Sequence, residues 1–250
     1  MLLGDIVRYS DDLLSVRLVR DAPDAQNGLQ VANVGTVTRI AAAVDLCAAT
    51  VRHATQERAD FLIVHHGLSW SRGARRLDAY LERFAELVRA NIALYSVHLP
   101  LDCHPDLGNA AVLGRRLGIT LRGPFGMWHD QSIGAWGELE LDRDRFGDRL
   151  AEVLGGPPKR MLFGPTAVRR VGVATGAAAS LMGQAAQAGL DTFVTGEGNH
   201  HTYIEAEELG LNVYYGGHYA TETFGVKALA EHLSEKFGLP WMFLDHPTGL

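Results

Sequence analysis

Short apolar runs alternate along this chain with longer stretches of helical periodicity. The apolar runs at residues 38–44, 61–64 and 92–97 are predicted to be strands, and residues 48–58 and 77–89 between them are predicted to be helices. Continuous apolar strands that alternate with helices are typical of a parallel sheet covered on both faces. The predicted fold class is therefore α/β.

The same order of elements returns in the second half of the chain. The strand–helix–strand pattern of residues 40–64 is repeated at residues 170–195. His98 and His218 each follow a later predicted strand, and each has an acidic residue four positions further on. Any two β-α-β segments share some likeness, but several landmarks stay in register, so we interpret the pattern as an internal duplication.

A duplication predicts two similar α/β lobes related by a pseudo-two-fold axis, with a cleft between them that suits a ligand. Gly and Pro cluster at residues 123–126, which places the boundary there. The predicted lobes are residues 1–125 and residues 126–250. Within them, residues 132–141 alternate as an antiparallel strand would, and residues 21–35 are predicted to be a long loop or a lid.

Composition narrows the class of protein. The 250 residues are 47% apolar and 21% charged, which is ordinary for a soluble globular protein. No apolar run reaches the roughly 18–20 residues of a membrane span, and the first residues lack the basic start of a signal peptide. Two cysteines make no disulfide framework, and a net charge of −6 gives no reason to expect nucleic acid. We expect a cytoplasmic protein that binds neither nucleic acid nor membrane.

Histidine is the unusual component, with 11 residues that include the adjacent pair His65-His66. This pair ends the apolar run 61–64, and Gly67 permits a turn directly after it. Neighbouring side chains on a strand point in opposite directions, so the pair fits one ion poorly and could hold one ion each. Without metal, the two would simply be polar residues at a strand end.

A second candidate segment follows the strand 92–97. Pro100 disfavours a regular helix here, and Asp102 is a natural oxygen ligand or, alternatively, the cap of a following helix. His98 could be a ligand, could orient a ligand, or could shuttle protons.

The third segment places His218 and Glu222 four residues apart, on one face of the first turn of a helix. A carboxylate there is also favoured by the helix dipole. With His98 set aside, the three segments supply three imidazoles and two carboxylates, a set that suits Zn²⁺, Fe²⁺ or Mn²⁺ better than Ca²⁺ or Mg²⁺. Five ligands exceed what one catalytic zinc needs and suffice for two ions.

Other candidates have two readings each. Glu197 and the pair His200-His201 could supply a proton shuttle or substrate contacts, or the histidines could be exposed residues at a helix start. Cys103 could be a nucleophile, although a packed thiol is the more common role. Three arginines could bind phosphate or could be solvated charges: Arg72, Arg75 and Arg76.

The chain resembles the YbgI-like, or Nif-three-like, dinuclear metal proteins, which are often labelled type 2 GTP cyclohydrolases. The resemblance rests on five segments that cover most of the chain: residues 27–31, 63–68, 98–102, 194–197 and 217–222. It implies a pair of similar α/β lobes and a ring-shaped homohexamer. It also implies five metal ligands, of which Glu222 would bridge the two ions: His65, His66, Asp102, His218 and Glu222.

The expected function is that of a metal-dependent hydrolase acting on a small molecule, either nucleotide-like or another small cyclic amide or amidine. His98 or Glu197 would move protons. GTP ring opening is the label that the resemblance carries. The alternative is a metal-binding assembly or interaction protein with little turnover, which the same ligand set would serve.

Overall fold

The computed structural model describes residues 1–70 and 77–250. This part of the chain divides into two compact units, one formed by Met1–Leu101 with Val226–His246 and the other by Asp102–Gly225 with Pro247–Leu250. Each unit contains one mixed β-sheet with helices packed on it. No helix within the described ranges combines the length and apolar character that crossing a bilayer requires.

The strands of both units are numbered in chain order: β1 Gly28–Val31, β2 Ile40–Asp45, β3 Phe61–His66, β4 Ala93–Ser96, β5 Thr120–Trp128, β6 Gln131–Asp142, β7 Lys159–Leu162, β8 Ala167–Val173, β9 Thr192–Thr195, β10 Asn212–Tyr215 and β11 Trp241–Phe243. The helices are numbered in the same way: α1 Leu3–Leu13, α2 Ala48–Gln56, α3 Leu77–Arg89, α4 Leu99–Asp102, α5 Asn109–Arg116, α6 Arg143–Leu154, α7 Met182–Gln187, α8 His201–Leu209 and α9 His218–Phe237.

The first unit has a sheet in the order β1-β4-β3-β2-β11. Strands β11, β2, β3 and β4 run parallel, as the continuous apolar runs predicted, and every residue of β3 is buried. Strand β1 pairs with β4 in the antiparallel direction, so part of the segment predicted as a loop is a strand. The parallel strands therefore end together at one edge of the sheet, where polar residues follow them.

The second unit has a sheet in the order β5-β6-β8-β9-β10-β7. Strand β6 is antiparallel to both of its neighbours, which confirms the prediction for residues 132–141. Strands β8, β9 and β10 are parallel. The Gly and Pro residues at 123–126 lie within β5, and the lobes 1–125 and 126–250 stay a prediction.

The two sheets share a pattern of strands and hydrogen bonds. The first sheet has an antiparallel strand, β1, beside β4 at the end of its parallel strands, and the second sheet has an antiparallel strand, β7, beside β10 at the end of its three parallel strands. Asp60 accepts from the amide of Arg39 at 3.0 Å before the first parallel strand, and Asp191 accepts from the amide of Arg170 at 2.8 Å within β8, its counterpart. The internal duplication and its pseudo-two-fold axis stay predictions.

Candidate metal centre

The adjacent residues His65 and His66 do not point to opposite faces of the sheet. Both are buried, and their ring centroids are only 4.9 Å apart. The His65 ring hydrogen-bonds towards the chain that follows β4, and the His66 ring hydrogen-bonds to the last residue of β2. The rings therefore converge at the end of the sheet, in contrast to the strict alternation expected for a strand.

The partners of these two rings fix which nitrogen a metal ion would meet. Nδ1 of His65 donates to the Val97 carbonyl oxygen at 2.9 Å, and Nδ1 of His66 donates to Asp45 Oδ1 at 2.7 Å. With the proton on Nδ1, a neutral ring presents its lone pair on Nε2. Metal-binding histidines in proteins almost always have their other nitrogen held in this way.

His98 belongs to the same cluster. One nitrogen from each of His65, His66 and His98 lies within 4.8 Å of the other two, a spacing that allows the three to hold a metal ion. Nδ1 of His98 donates to Asp21 Oδ1 at 2.8 Å, so this ring too would offer Nε2. The structure thus places His98 beside the two predicted ligands, and its role as a ligand or as a proton carrier stays a prediction.

Asp21 is held as an ionised acceptor for His98. Burial raises the pKa of its carboxyl, but hydrogen bonds from His98, from Asn27 and from the Ala22 amide lower it, and the net pKa lies below the ordinary value. Asn27 also accepts from the backbone amide of His98 at 2.7 Å. The loop before β1 therefore fixes both the backbone and the ring of His98.

An aromatic wall covers this cluster. The Trp70 ring stacks on His66 with centroids 4.3 Å apart and an interplanar angle of 13°, and it also contacts His98. Gly67 is needed for packing as well as for the end of the strand, because a Cβ there would lie 2.5 Å from Gln30 Nε2. The phosphate-binding candidates Arg72, Arg75 and Arg76 lie outside the described residues.

The second unit carries its own imidazole–carboxylate cluster at the start of α9. Nδ1 of His218 donates to Glu197 Oε1 at 2.7 Å, and its Nε2 lies 3.2 Å from Glu222 Oε2. Burial lowers the pKa of His218, but the hydrogen bonds and charges of Glu222 and Glu197 outweigh it and raise the pKa to about 9. Without metal, this ring is therefore protonated at neutral pH.

Gly176 cradles this cluster, a role that the sequence patterns did not reveal. Its φ of +63° is left-handed, and a Cβ there would collide with Glu222 Oε1 and lie 3.3 Å from His218 Nε2. Its carbonyl oxygen accepts from the amide of Glu197 at 3.0 Å. Only glycine fits this backbone position without displacing the carboxylate.

Asp102, the remaining predicted ligand, is the last residue of α4 and belongs to the second unit. Asn109 is fully buried and donates to Asp102 Oδ1 at 2.9 Å. The side-chain oxygen of Asn109 accepts from the backbone N–H of Gly225, within α9, at 2.6 Å. One buried side chain thus joins Asp102 to the helix that carries His218 and Glu222.

The other candidates lie apart from these clusters. His200 and His201 are exposed at the start of α8, and Cys103 is half-buried. The first unit groups His65, His66 and His98, and the second unit groups Glu197, His218 and Glu222.

The donor set fits a divalent metal of intermediate softness. Four imidazoles each donate from Nδ1 to an oxygen acceptor, three of which are carboxylates. Such carboxylate–histidine pairs orient a ring for Zn²⁺, Fe²⁺ or Mn²⁺. Asp45, which sequence reasoning missed, is paired with His66 in the register of β2 and β3, so aligning those strands would have found it.

Fold and site together describe an α/β protein of two units, with a histidine cluster in the first unit that could hold a metal ion and an imidazole–carboxylate cluster in the second. The chain belongs to the Duf34/NIF3 (NGG1p interacting factor 3) family, whose model matches residues 1–248.

Relatives of known sequence and solved structures match this chain over almost its full length. A Deinococcus radiodurans protein named GTP cyclohydrolase 1 type 2 homolog is 40% identical over 248 residues, covering 98% of this chain and 94% of the relative. The crystal structure of TTHA1606 from Thermus thermophilus is 41% identical with a TM-score of 0.90, and the structure of protein ybgI is 35% identical with a TM-score of 0.91. Both cover 100% of each chain, and the second confirms the resemblance drawn from the sequence motifs.

Proposed function

We propose that this protein binds two divalent ions (Zn²⁺, Fe²⁺ or Mn²⁺) and is a metal-dependent hydrolase. The ligands in this proposal are His65, His66, Asp102, His218 and Glu222, with Glu222 shared by both ions. The observation that carries it is the set of imidazoles whose Nδ1 atoms donate to fixed oxygens, because that arrangement directs Nε2 towards a metal.

Two ions, rather than one, follow from the number and kind of ligands. The cluster of the first unit is rich in imidazole, whereas the second contributes carboxylates at Asp102 and Glu222. A single catalytic zinc takes three protein ligands and keeps one position open. Five ligands with one shared carboxylate leave open positions on a pair of ions, which is what a hydrolase requires.

A bound divalent ion supplies Lewis acidity and makes a coordinated water acidic enough to act near neutral pH. The chain's own residues would hold and move protons around it. Glu197 is half exposed and already accepts a hydrogen bond from His218 Nδ1, so it can exchange protons with a substrate. His98 is fixed by Asp21 and can accept a proton at its Nε2.

The proposed substrate is a small cyclic amide or amidine, such as the ring of a nucleotide base. Hydrolysis of a ring C–N bond needs a polarised oxygen or nitrogen and a proton for the departing nitrogen, and the groups above supply both. The name GTP cyclohydrolase 1 type 2 homolog, which the Deinococcus radiodurans relative and another relative share, supports this class. The family resemblance also leads us to propose a homohexamer.

Metal content tests the ligand assignment. Wild-type protein should carry two ions per chain by elemental analysis, and the double variant His66→Ala/Glu222→Ala should lose them while its far-ultraviolet circular dichroism stays unchanged. The matched control is His201→Ala/Glu207→Ala, which removes the same residue types from exposed positions of α8 and should keep both ions. Two ions retained in the first variant would show that the assignment is wrong.

Turnover separates the enzyme from the alternative. Metal-loaded protein should open the ring of at least one compound in a screen of nucleotide bases, nucleotides and simple lactams. A metal-loaded protein that converts none of them would favour a metal-binding assembly or interaction protein. Light scattering at about 163 kDa, six times the 27.2 kDa chain, would support the hexamer under either function.

A further inference from the structure

Glu197 lies between two glycines, Gly196 and Gly198, in the segment that joins β9 to α8. A Cβ at Gly196 would lie only 2.9 Å from the Cα of His218, and a Cβ at Gly198 would lie 2.6 Å from Cζ of Tyr215. Both distances are too short for a real side chain, so the backbone on each side of Glu197 packs closely against the end of β10 or the start of α9. The position of Glu197 is therefore set from two sides.

The first side is held by the backbone. The amide of Glu197 donates to the carbonyl oxygen of Gly176 at 3.0 Å, and the carbonyl oxygen of Gly196 accepts from the amide of Gly217 at 2.9 Å. The Glu197 side chain itself is 49% exposed. Because so exposed a side chain has few neighbours, the direction of its carboxylate depends on how firmly the backbone is held at both of its ends.

The second side is held by the phenol of Tyr215, the last residue of β10. Its oxygen occupies the space beside Gly198 where a side chain would be. Thr202 Oγ1 donates to the carbonyl oxygen of Asn199 at 2.5 Å and lies 2.5 Å from the Tyr215 oxygen. A hydroxyl has one hydrogen, and Thr202 gives it to Asn199, so Tyr215 is the donor to Thr202. Burial raises the pKa of the Tyr215 phenol, which keeps this donor protonated at neutral pH.

Two features suit this phenol to hold Glu197 in place. Tyr215 precedes His218 by three residues, so one strand end carries both the group that supports Gly198 and the imidazole that Glu197 contacts. Thr202 is only 3% exposed, so water competes little for its hydroxyl. The separation of Glu197 from His218 is thus fixed by contacts close to the end of β10.

We propose that Tyr215 is a positioning residue, whose phenol supports Gly198 and thereby keeps the Glu197 carboxylate at hydrogen-bonding distance from His218. The inference rests on the proposed function because it takes His218 as a metal ligand. A fixed Glu197 holds Nδ1 of His218 and directs Nε2 towards the metal, as the partners of metal-binding histidines generally do. Loss of the phenol oxygen should therefore weaken metal binding, but by less than the loss of Glu197.

Zinc affinities in a double-mutant cycle test this proposal with the full chain, by competition with a chromophoric chelator. Glu197→Ala should weaken zinc binding by about tenfold, and Tyr215→Phe should weaken it by about threefold. In the Glu197→Ala background, Tyr215→Phe should have no further effect, because no carboxylate is left to position. The same loss with and without Glu197, or no loss in the wild-type background, would overturn the proposal.

Further variants address the same chain of hydrogen bonds. Thr202→Val breaks it from the other end and should reproduce the loss, which keeps the test decisive if Tyr215→Phe fails to fold. Thr202→Ser keeps the hydroxyl and should bind zinc as tightly as wild-type protein. The matched control is Tyr203→Phe, which removes a phenol oxygen from an exposed position of α8 and should also leave the affinity unchanged. Equal losses in Tyr203→Phe and Tyr215→Phe would overturn the proposal.

Proton NMR of the metal-free protein separates this proposal from the proposed function. The Nδ1–H of His218 donates to Glu197 Oε1 at 2.7 Å, and a charge-assisted hydrogen bond of this kind gives a downfield proton resonance. Glu197→Ala identifies the resonance by removing it, and Tyr215→Phe should shift or broaden it. An unchanged resonance in Tyr215→Phe would overturn the proposal even if zinc binds. A wild-type protein that binds no zinc but shows the shift would refute the metal site and leave the role of Tyr215 standing.

Discussion

Asp45 is the residue whose removal tests the metal centre most selectively. It contacts the ring of a proposed ligand, His66, but is not itself a proposed ligand. Two variants separate the effect of its charge from the effect of its hydrogen bond. Asp45→Asn keeps an oxygen that accepts from His66 Nδ1 and removes the charge, whereas Asp45→Ala removes both the charge and the hydrogen bond.

The expected loss follows from the contact. Asp45 Oδ1 lies 2.7 Å from His66 Nδ1, which is the length of a charge-assisted hydrogen bond. Losing such a partner of a metal-bound histidine typically lowers metal affinity by about 10- to 100-fold. The Asp45 side chain is 34% exposed, so water can partly replace it. We therefore expect Asp45→Ala to weaken binding by about tenfold, or ~1.4 kcal/mol, and Asp45→Asn to weaken it less.

Competition with a chromophoric chelator measures this difference directly, since it reports the zinc affinity of each variant. The control is Asp12→Ala, which removes an exposed carboxylate from α1 of the same unit and should leave the affinity unchanged. Equal zinc affinity in wild-type protein and Asp45→Ala would refute the assignment of His66 as an oriented ligand.

Three further changes address the second unit. Gly176→Ala should cost about 1 kcal/mol or more of the free energy of unfolding in urea and should also weaken zinc binding, because the left-handed residue gains a Cβ that meets Glu222. The control is Gly155→Ala, at a residue with φ of +76° and open space around it, which should lower stability without changing zinc affinity. Equal zinc affinity in the two variants would show that Gly176 does not position Glu222. Asn109→Ala should lower the free energy of unfolding by about 2 kcal/mol and should also lower metal affinity, because it removes buried hydrogen bonds to the Asp102 carboxylate and to α9. Metal affinity measured by calorimetry that equals the wild-type value would contradict this role of Asn109. Because the pKa of His218 is raised to about 9, metal binding at neutral pH should release a proton and should weaken as the pH falls. Calorimetry in two buffers of different ionisation enthalpy measures this proton release. The absence of any release would contradict the assignment of His218 as a metal ligand.

The parallel strands and the histidines at their ends could be predicted because both are local signals. Strands β2 and β3 are buried along almost their whole length, and their sequences are correspondingly apolar without interruption. A strand that ends in His65 and His66 places these residues at the edge where parallel strands of an α/β sheet hold their ligands. The spacing of His218 and Glu222 likewise follows from one helical turn.

The residues that orient those ligands could not be found in the same way, because their contacts join distant parts of the chain. Asp21 is 77 positions from His98, and Asp45 is 21 positions from His66. No local pattern distinguishes them from other acidic residues. Only the register of neighbouring strands, or the path of the loop before β1, brings each carboxylate to its ring.

Gly and Pro also occur within the strands of this protein. Residues 123–126 have the composition of a linker, but they form part of β5, the edge strand of its sheet. An edge strand tolerates Pro124 because one side of its backbone needs no partner in the sheet. Gly67 was expected to allow a turn, and the structure shows in addition that Gln30 packs where a side chain would be.

Anomalous X-ray scattering from crystals of the zinc-loaded protein would locate the bound ions. We expect two peaks per chain about 3.5–4 Å apart, as in other two-metal sites. His65, His66 and His218 should each coordinate zinc through Nε2 at about 2.1 Å, and a carboxylate oxygen of Glu222 should be bonded to each ion. A single peak held by His65, His66 and His98, with Glu222 bonded to no metal, would contradict this expectation.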